Sequence, residues 1–91
     1  NIGHFKQEME RLQMTDRFIK SDSAIQCALI RGNDKVKAIA KQLQTAGFDV
    51  KPILSPTVKE GEERLRFCLH AFNTKEEITK VLVLLNNLIN L

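Results

Sequence analysis

Ninety-one residues with 43% hydrophobic and 27% charged side chains have the composition of one small globular domain, which excludes a disordered or low-complexity chain. The formal charge is +3, but the basic residues run from Lys6 to Lys80 without gathering into a stripe, so no nucleic-acid partner is expected. Two cysteines make no disulfide framework, no signal peptide precedes them, and the longest apolar run, Val81 to Leu85, is far too short for a membrane span; a reducing cytoplasm is the expected home.

From Ile2 to Leu12 the residues Ile2, Phe5, Met9 and Leu12 recur at intervals of three and four, which predicts a first helix ending near Gln13. Met14 to Ser23 keeps no period, so residues 1–23 read as a leading helix and a connector. Ala24 to Ile30 is short, apolar and followed by Arg31-Gly32-Asn33, the pattern of a buried strand. Asn33 or Asp34 can cap a second helix with Val36, Ile39, Ala40 and Leu43 inward, and Gly47 stops it. Phe48 to Leu54 reads as a strand at a sheet edge, because Pro52 has no N–H to give a ladder. The loop Ser55 to Gly61 then reverses the chain.

The next stretch, Arg64-Leu65-Arg66-Phe67-Cys68-Leu69-His70, alternates: Leu65, Phe67 and Leu69 share one face, while Arg64, Arg66, Cys68 and His70 share the other. An arginine held on a strand suits two-point capture of a carboxylate or phosphate, and Arg66 stands at the middle of this one. The competing reading pairs both arginines with Glu60, Glu62 or Glu63 on the surface. Thr74 and Glu77 form a capping box for a final helix from Lys75 toward Leu91, with Ile78, Val81, Leu82, Leu85, Leu88 and Ile89 inward. Val83 and Leu84 leave apolar surface on its other flank, which suggests a neighbour.

These elements predict an α+β domain: a small, mainly antiparallel three-stranded sheet, the third strand between the first two, with helices on one face only. The arginine face is left uncovered, to be solvated or docked. Cys27, Cys68, His70 and His4 lack the spacing of a metal site, and Gly3, Gly32, Gly47 and Gly61 are too scattered to cradle a phosphate. A binding module without chemistry of its own is what the residues alone support.

Three stretches, Ser23-Ala24-Ile25-Gln26, the run from Gly32 to Val58 ending in Ser55-Pro56-Thr57-Val58, and the run from Gly61 to Thr74 containing Arg64-Leu65-Arg66, resemble the carboxy-terminal segment of the α-oxoamine synthase family. The resemblance covers the chain from about Asn1 to Leu91. It implies the small domain of a fold-type-I pyridoxal-phosphate enzyme, cytoplasmic and homodimeric, that condenses an amino acid with an acyl thioester and releases carbon dioxide. Within the family the likeness is to the member that joins L-alanine to a pimeloyl thioester in biotin synthesis. It implies that Arg66 holds the substrate's α-carboxylate and that Thr57 lines the substrate site.

The lysine that forms the cofactor imine, and the large domain around it, are expected upstream of this segment. The 91 residues alone, which open on Asn1 as a piece of a longer protein would, are expected to hold no cofactor and to turn over no substrate. Leu54-Ser55 and Ala71-Phe72-Asn73 depart from the family pattern, where an arginine and an Ala-Ala-His run are common, and this leaves the acyl partner open. Glycine C-acetyltransferase and serine palmitoyltransferase share the architecture; a freestanding ligand-binding or regulatory domain is the alternative of another class.

Overall fold

The structure, a computed structural model, describes residues 2–69 and 74–90. Three helices, α1 (Ile2–Arg11), α2 (Asn33–Thr45) and α3 (Lys75–Ile89), accompany three strands, β1 (Ile25–Leu29), β2 (Val50–Ile53) and β3 (Arg64–Cys68). The strand order is β1-β3-β2, with β3 antiparallel to both neighbours, as the alternation and the proline require. Pro52 sits on β2, which pairs with β3 alone, so its missing N–H faces no partner strand. In the helix layer α3 packs against both α1 and α2, and α2 lies over β2 and β3. Among the described residues, no helix is long and apolar enough to cross a membrane. The expected ends of the last strand at His70 and of the last helix at Leu91, together with Ala71-Phe72-Asn73, lie outside the described residues.

The core forms where the two apolar periods meet. Leu65 and Phe67 from β3, Ala28 from β1 and Val50 from β2 face Phe5, Val36, Leu43, Ile78, Leu82 and Leu85 from the helices, all 2% exposed or less. Phe67 stands at its centre: its ring lies 6.0 Å from that of Phe5 and 5.9 Å from that of Phe18, and Phe5 meets Phe18 edge-on at 5.3 Å. The connector is thus more than a spacer. Met14 and Phe18 are buried, Phe18 makes a bridge to Ala28, and the Ile19 amide donates to the Cys27 carbonyl, which covers part of the outer edge of β1.

Both helix ends that the sequence marks are closed by backbone geometry. At the end of α1 the Met14 amide reaches the Met9 carbonyl and the Gln13 amide the Glu10 carbonyl, with Gln13 in the left-handed region at φ 58°. At the end of α2, Phe48 and Gly47 repeat the same pair of bonds to Leu43 and Gln44, with Gly47 at φ 95°. The capping box of α3 is present: the Glu77 amide donates to the Thr74 hydroxyl at 3.1 Å and the Thr74 amide to Glu77 Oε1 at 3.0 Å. Two expectations need correction. The cap of α2 is Gly32, with no side-chain bond, because Asn33 turns its amide elsewhere. The apolar flank of α3 reduces to Val83, since Leu84 packs against the core.

A polar contact that the sequence reading did not anticipate fastens α1 to α3. Glu8 is only 9% exposed; Arg11 Nε donates to its Oε2 at 2.5 Å, and the Thr79 hydroxyl donates to its Oε1 at 2.6 Å. With that proton committed, the Thr79 oxygen accepts from His4 Nε2 at 3.0 Å. These bonds, first that from Arg11 and then that from Thr79, hold the Glu8 carboxyl at about 2, well below the ordinary 4.5. A lowered folded-state pKa means that the stabilisation is complete above about 4.5 and is lost as pH falls toward 2. Glu8→Gln should therefore flatten the dependence of the thermal midpoint on pH between those values. An unchanged slope would show that Glu8 does not couple the two helices to pH.

Candidate functional site

Alternation along β3 turns Leu65 and Phe67 into the core and sends Arg64, Arg66 and Cys68 to the face without helices. Arg66 is exposed at the middle of the central strand, flanked in register by Cys27 of β1 and Lys51 of β2. Such a position fixes its Cα from both sides, and among the described residues its guanidinium makes no ion pair. The surface ion pairs that offered a competing explanation are not made. Among the described residues the ion pairs join Lys6 to Asp22 and bring Arg11 and His4 to Glu8. Arg64 Nε donates to the Glu62 carbonyl at 3.1 Å rather than to a carboxylate.

Glu63 is otherwise engaged. It is 2% exposed, and its carboxylate accepts from the Gly32 amide at 3.0 Å and from the Gly61 amide at 3.0 Å. Those backbone donors, that of Gly32 foremost, hold its carboxyl below the usual range. Asn33 performs the companion task at the other end of the same loop: its Oδ1 accepts from the Ser55 amide at 3.1 Å, and its Nδ2 donates to the Ser55 carbonyl at 3.3 Å. The loop from β2 to β3 is consequently fastened at both ends to the corner between β1 and α2. Thr57 rides on this loop, exposed, one residue past the cis Ser55–Pro56 peptide. Leu54, which follows β2 at the start of the loop, packs against the core.

The loop that carries Thr57 leaves the sheet at Ile53, the last residue of β2, which pairs with Arg64, and Arg66 lies two residues further along β3, about 7 Å from Arg64. Cys27 and Cys68 are free and half-buried on the same face as Arg66. Burial pushes the Cys27 thiol up against the opposing pull of Arg64 and Arg66. No group of three His, Cys, Asp or Glu among the described residues could hold a metal, and His70 lies outside them. What the face can do is bind an anion. The sequence assigns Asn33 and Glu63 other roles, a helix cap and a surface partner for the arginines; in the structure they set the loop instead.

No family model matches the chain. It is 36% identical over 87 residues to 8-amino-7-oxononanoate synthase from Serratia marcescens, an alignment that covers 96% of the chain and 22% of that protein. It is 41% identical over 66 residues to the synthase of the same name from Yersinia enterocolitica, covering 72% of the chain and 17% of the relative. A fungal relative of that name, from Emericella nidulans, is 46% identical over 46 residues, half of this chain. The chain spans about a fifth of the length of these curated relatives. With an open sheet face built around Arg66 and sequence likeness along nearly its whole length, the chain belongs, as a segment, to the 8-amino-7-oxononanoate synthase family.

Proposed function

We propose that these residues form the carboxy-terminal small domain of a pyridoxal-phosphate-dependent acyltransferase that condenses L-alanine with a pimeloyl thioester to give 8-amino-7-oxononanoate. Arg66 is the observation that carries the reading: a mid-strand guanidinium, exposed, with no carboxylate partner among the described residues. In this role its planar fork takes both oxygens of the amino acid's α-carboxylate and fixes the orientation of the bond that breaks. Thr57, on a loop fastened by Asn33 and Glu63, lines the same site. A large domain closes over the open face, and two such chains make the working dimer in the cytoplasm.

Pyridoxal phosphate supplies the electron sink for decarboxylative condensation. The described residues do not fit that group. The amides of Gly32 and Gly61, which could have met a phosphate, already donate to Glu63, and the remaining cations suit a carboxylate on an open face. The reading assigns the cofactor to the rest of the enzyme, and the 91 residues alone turn nothing over. The homology to named synthases favours this over a freestanding regulatory domain.

An antibody against this chain, used on a lysate of the source cell, should detect a protein several-fold larger. Borohydride should trap the cofactor on a lysine of that protein outside the segment. A natural product of the size of the chain itself would overturn the proposal.

A further inference from the structure

Arg66 does not stand alone on its face. The β2–β3 register places Lys51 directly opposite it, and Arg64 lies diagonal to Lys51 on the same side. Side chains so paired have their Cβ atoms about 4.5 to 5.5 Å apart, and like charges in that position repel. None of the ion pairs among the described residues reaches Lys51, Arg64 or Arg66, and the one buried carboxylate near their strand, Glu63, is occupied by backbone amides. Asp49, exposed two residues before Lys51, makes no ion pair with it. Cys27, the other neighbour of Arg66, is a half-buried thiol and supplies no negative charge. A ladder therefore holds cations together that this part of the chain does not neutralise.

We propose that Lys51 is a second carboxylate-binding group of the Arg66 site, bracketing the substrate carboxylate from the neighbouring strand. The inference rests on the reading of Arg66 as the carboxylate clamp and adds to it a residue that neither the resemblance nor the sequence spacing singles out. The two cations divide the work. The Arg66 fork sets direction, and the Lys51 ammonium, a compact charge on a flexible stem, adds attraction without geometry. The site then favours a carboxylate over its uncharged amide by more than Arg66 alone achieves, and the unliganded domain bears the repulsion between the two.

The test is steady-state kinetics of the full-length protein with L-alanine across a range of salt, for wild type, Lys51→Met, Lys51→Arg and Arg66→Lys. The amino-acid KM of Lys51→Met should rise about three- to tenfold, as expected for one charge partly screened at this range. Lys51→Arg should restore most of that loss, and the gap between Lys51→Met and wild type should close toward ~1 M salt, where screening acts within about 3 Å. The thermal midpoint of Lys51→Met should match or exceed that of wild type, because a repulsion has been removed. If KM is unmoved in Lys51→Met while Arg66→Lys raises it, Lys51 has no part in binding and the clamp stands. A rise that ignores salt and is not restored by Lys51→Arg is structural and also overturns the proposal. If neither residue moves KM, the clamp reading fails with it.

Discussion

Replacing Phe67 with alanine destabilises the protein by about 3 to 5 kcal/mol, a large share of the total for a domain of this size. The ring is fully buried on the central strand and touches the rings of Phe5 and Phe18, which arrive from α1 and from the connector. Because its neighbours come from separate elements, the cavity cannot close by moving one of them; the transfer loss and the cavity loss therefore add. Val83→Ala, on the exposed flank of α3, should by contrast change stability by less than about 0.5 kcal/mol. Urea unfolding midpoints of the two variants measure the difference. A Phe67→Ala shift no larger than that of Val83→Ala would mean that the aromatic trio does not organise the core.

If Arg66 is the carboxylate clamp proposed above, replacing it with alanine in the full-length protein should lower kcat/KM for the amino acid about 100- to 1,000-fold, the usual loss when one partner of a hydrogen-bonded charge pair is truncated. Arg66→Lys should lose about tenfold, since a point charge keeps the attraction and forfeits the two-point geometry. Neither change should move the unfolding midpoint much, because the side chain is exposed and bonds to nothing in the described residues. The KM for the acyl thioester is the internal control: it should stay near the wild-type value. Wild-type kcat/KM in Arg66→Ala would remove Arg66 from the site.

Local pattern carried most of the fold into the sequence. Alternation in Arg64–Cys68 separated a core face from an open one, the missing N–H of Pro52 put its strand at an edge, and Thr74 with Glu77 marked the start of α3. Each of these depends on residues near one another in the chain. The residues that were misread depend on partners far away. Asn33 resembles a helix cap until Ser55, 22 positions later, takes its amide. Glu63 resembles a surface partner for arginine until the Gly32 amide, 31 positions earlier, claims it. Glu8 is one charged residue of a short helix until Thr79 reaches it from α3. The connector hid Phe18 for the same reason, since a single aromatic without a period gives no sign that β1 will receive it. On the open face, the outward direction of Arg66 was legible from alternation, whereas the placement of Lys51 opposite it became visible only when the register was known.

The release of labelled carbon dioxide from L-alanine carrying the label in its carboxylate, supplied with a pimeloyl thioester, tests the central claim most directly. The full-length protein should release label in step with 8-amino-7-oxononanoate, and Arg66→Ala should do so about 100-fold more slowly or worse at subsaturating L-alanine. Release that is equally fast with and without the Arg66 side chain, or no release from the wild-type protein, would contradict it.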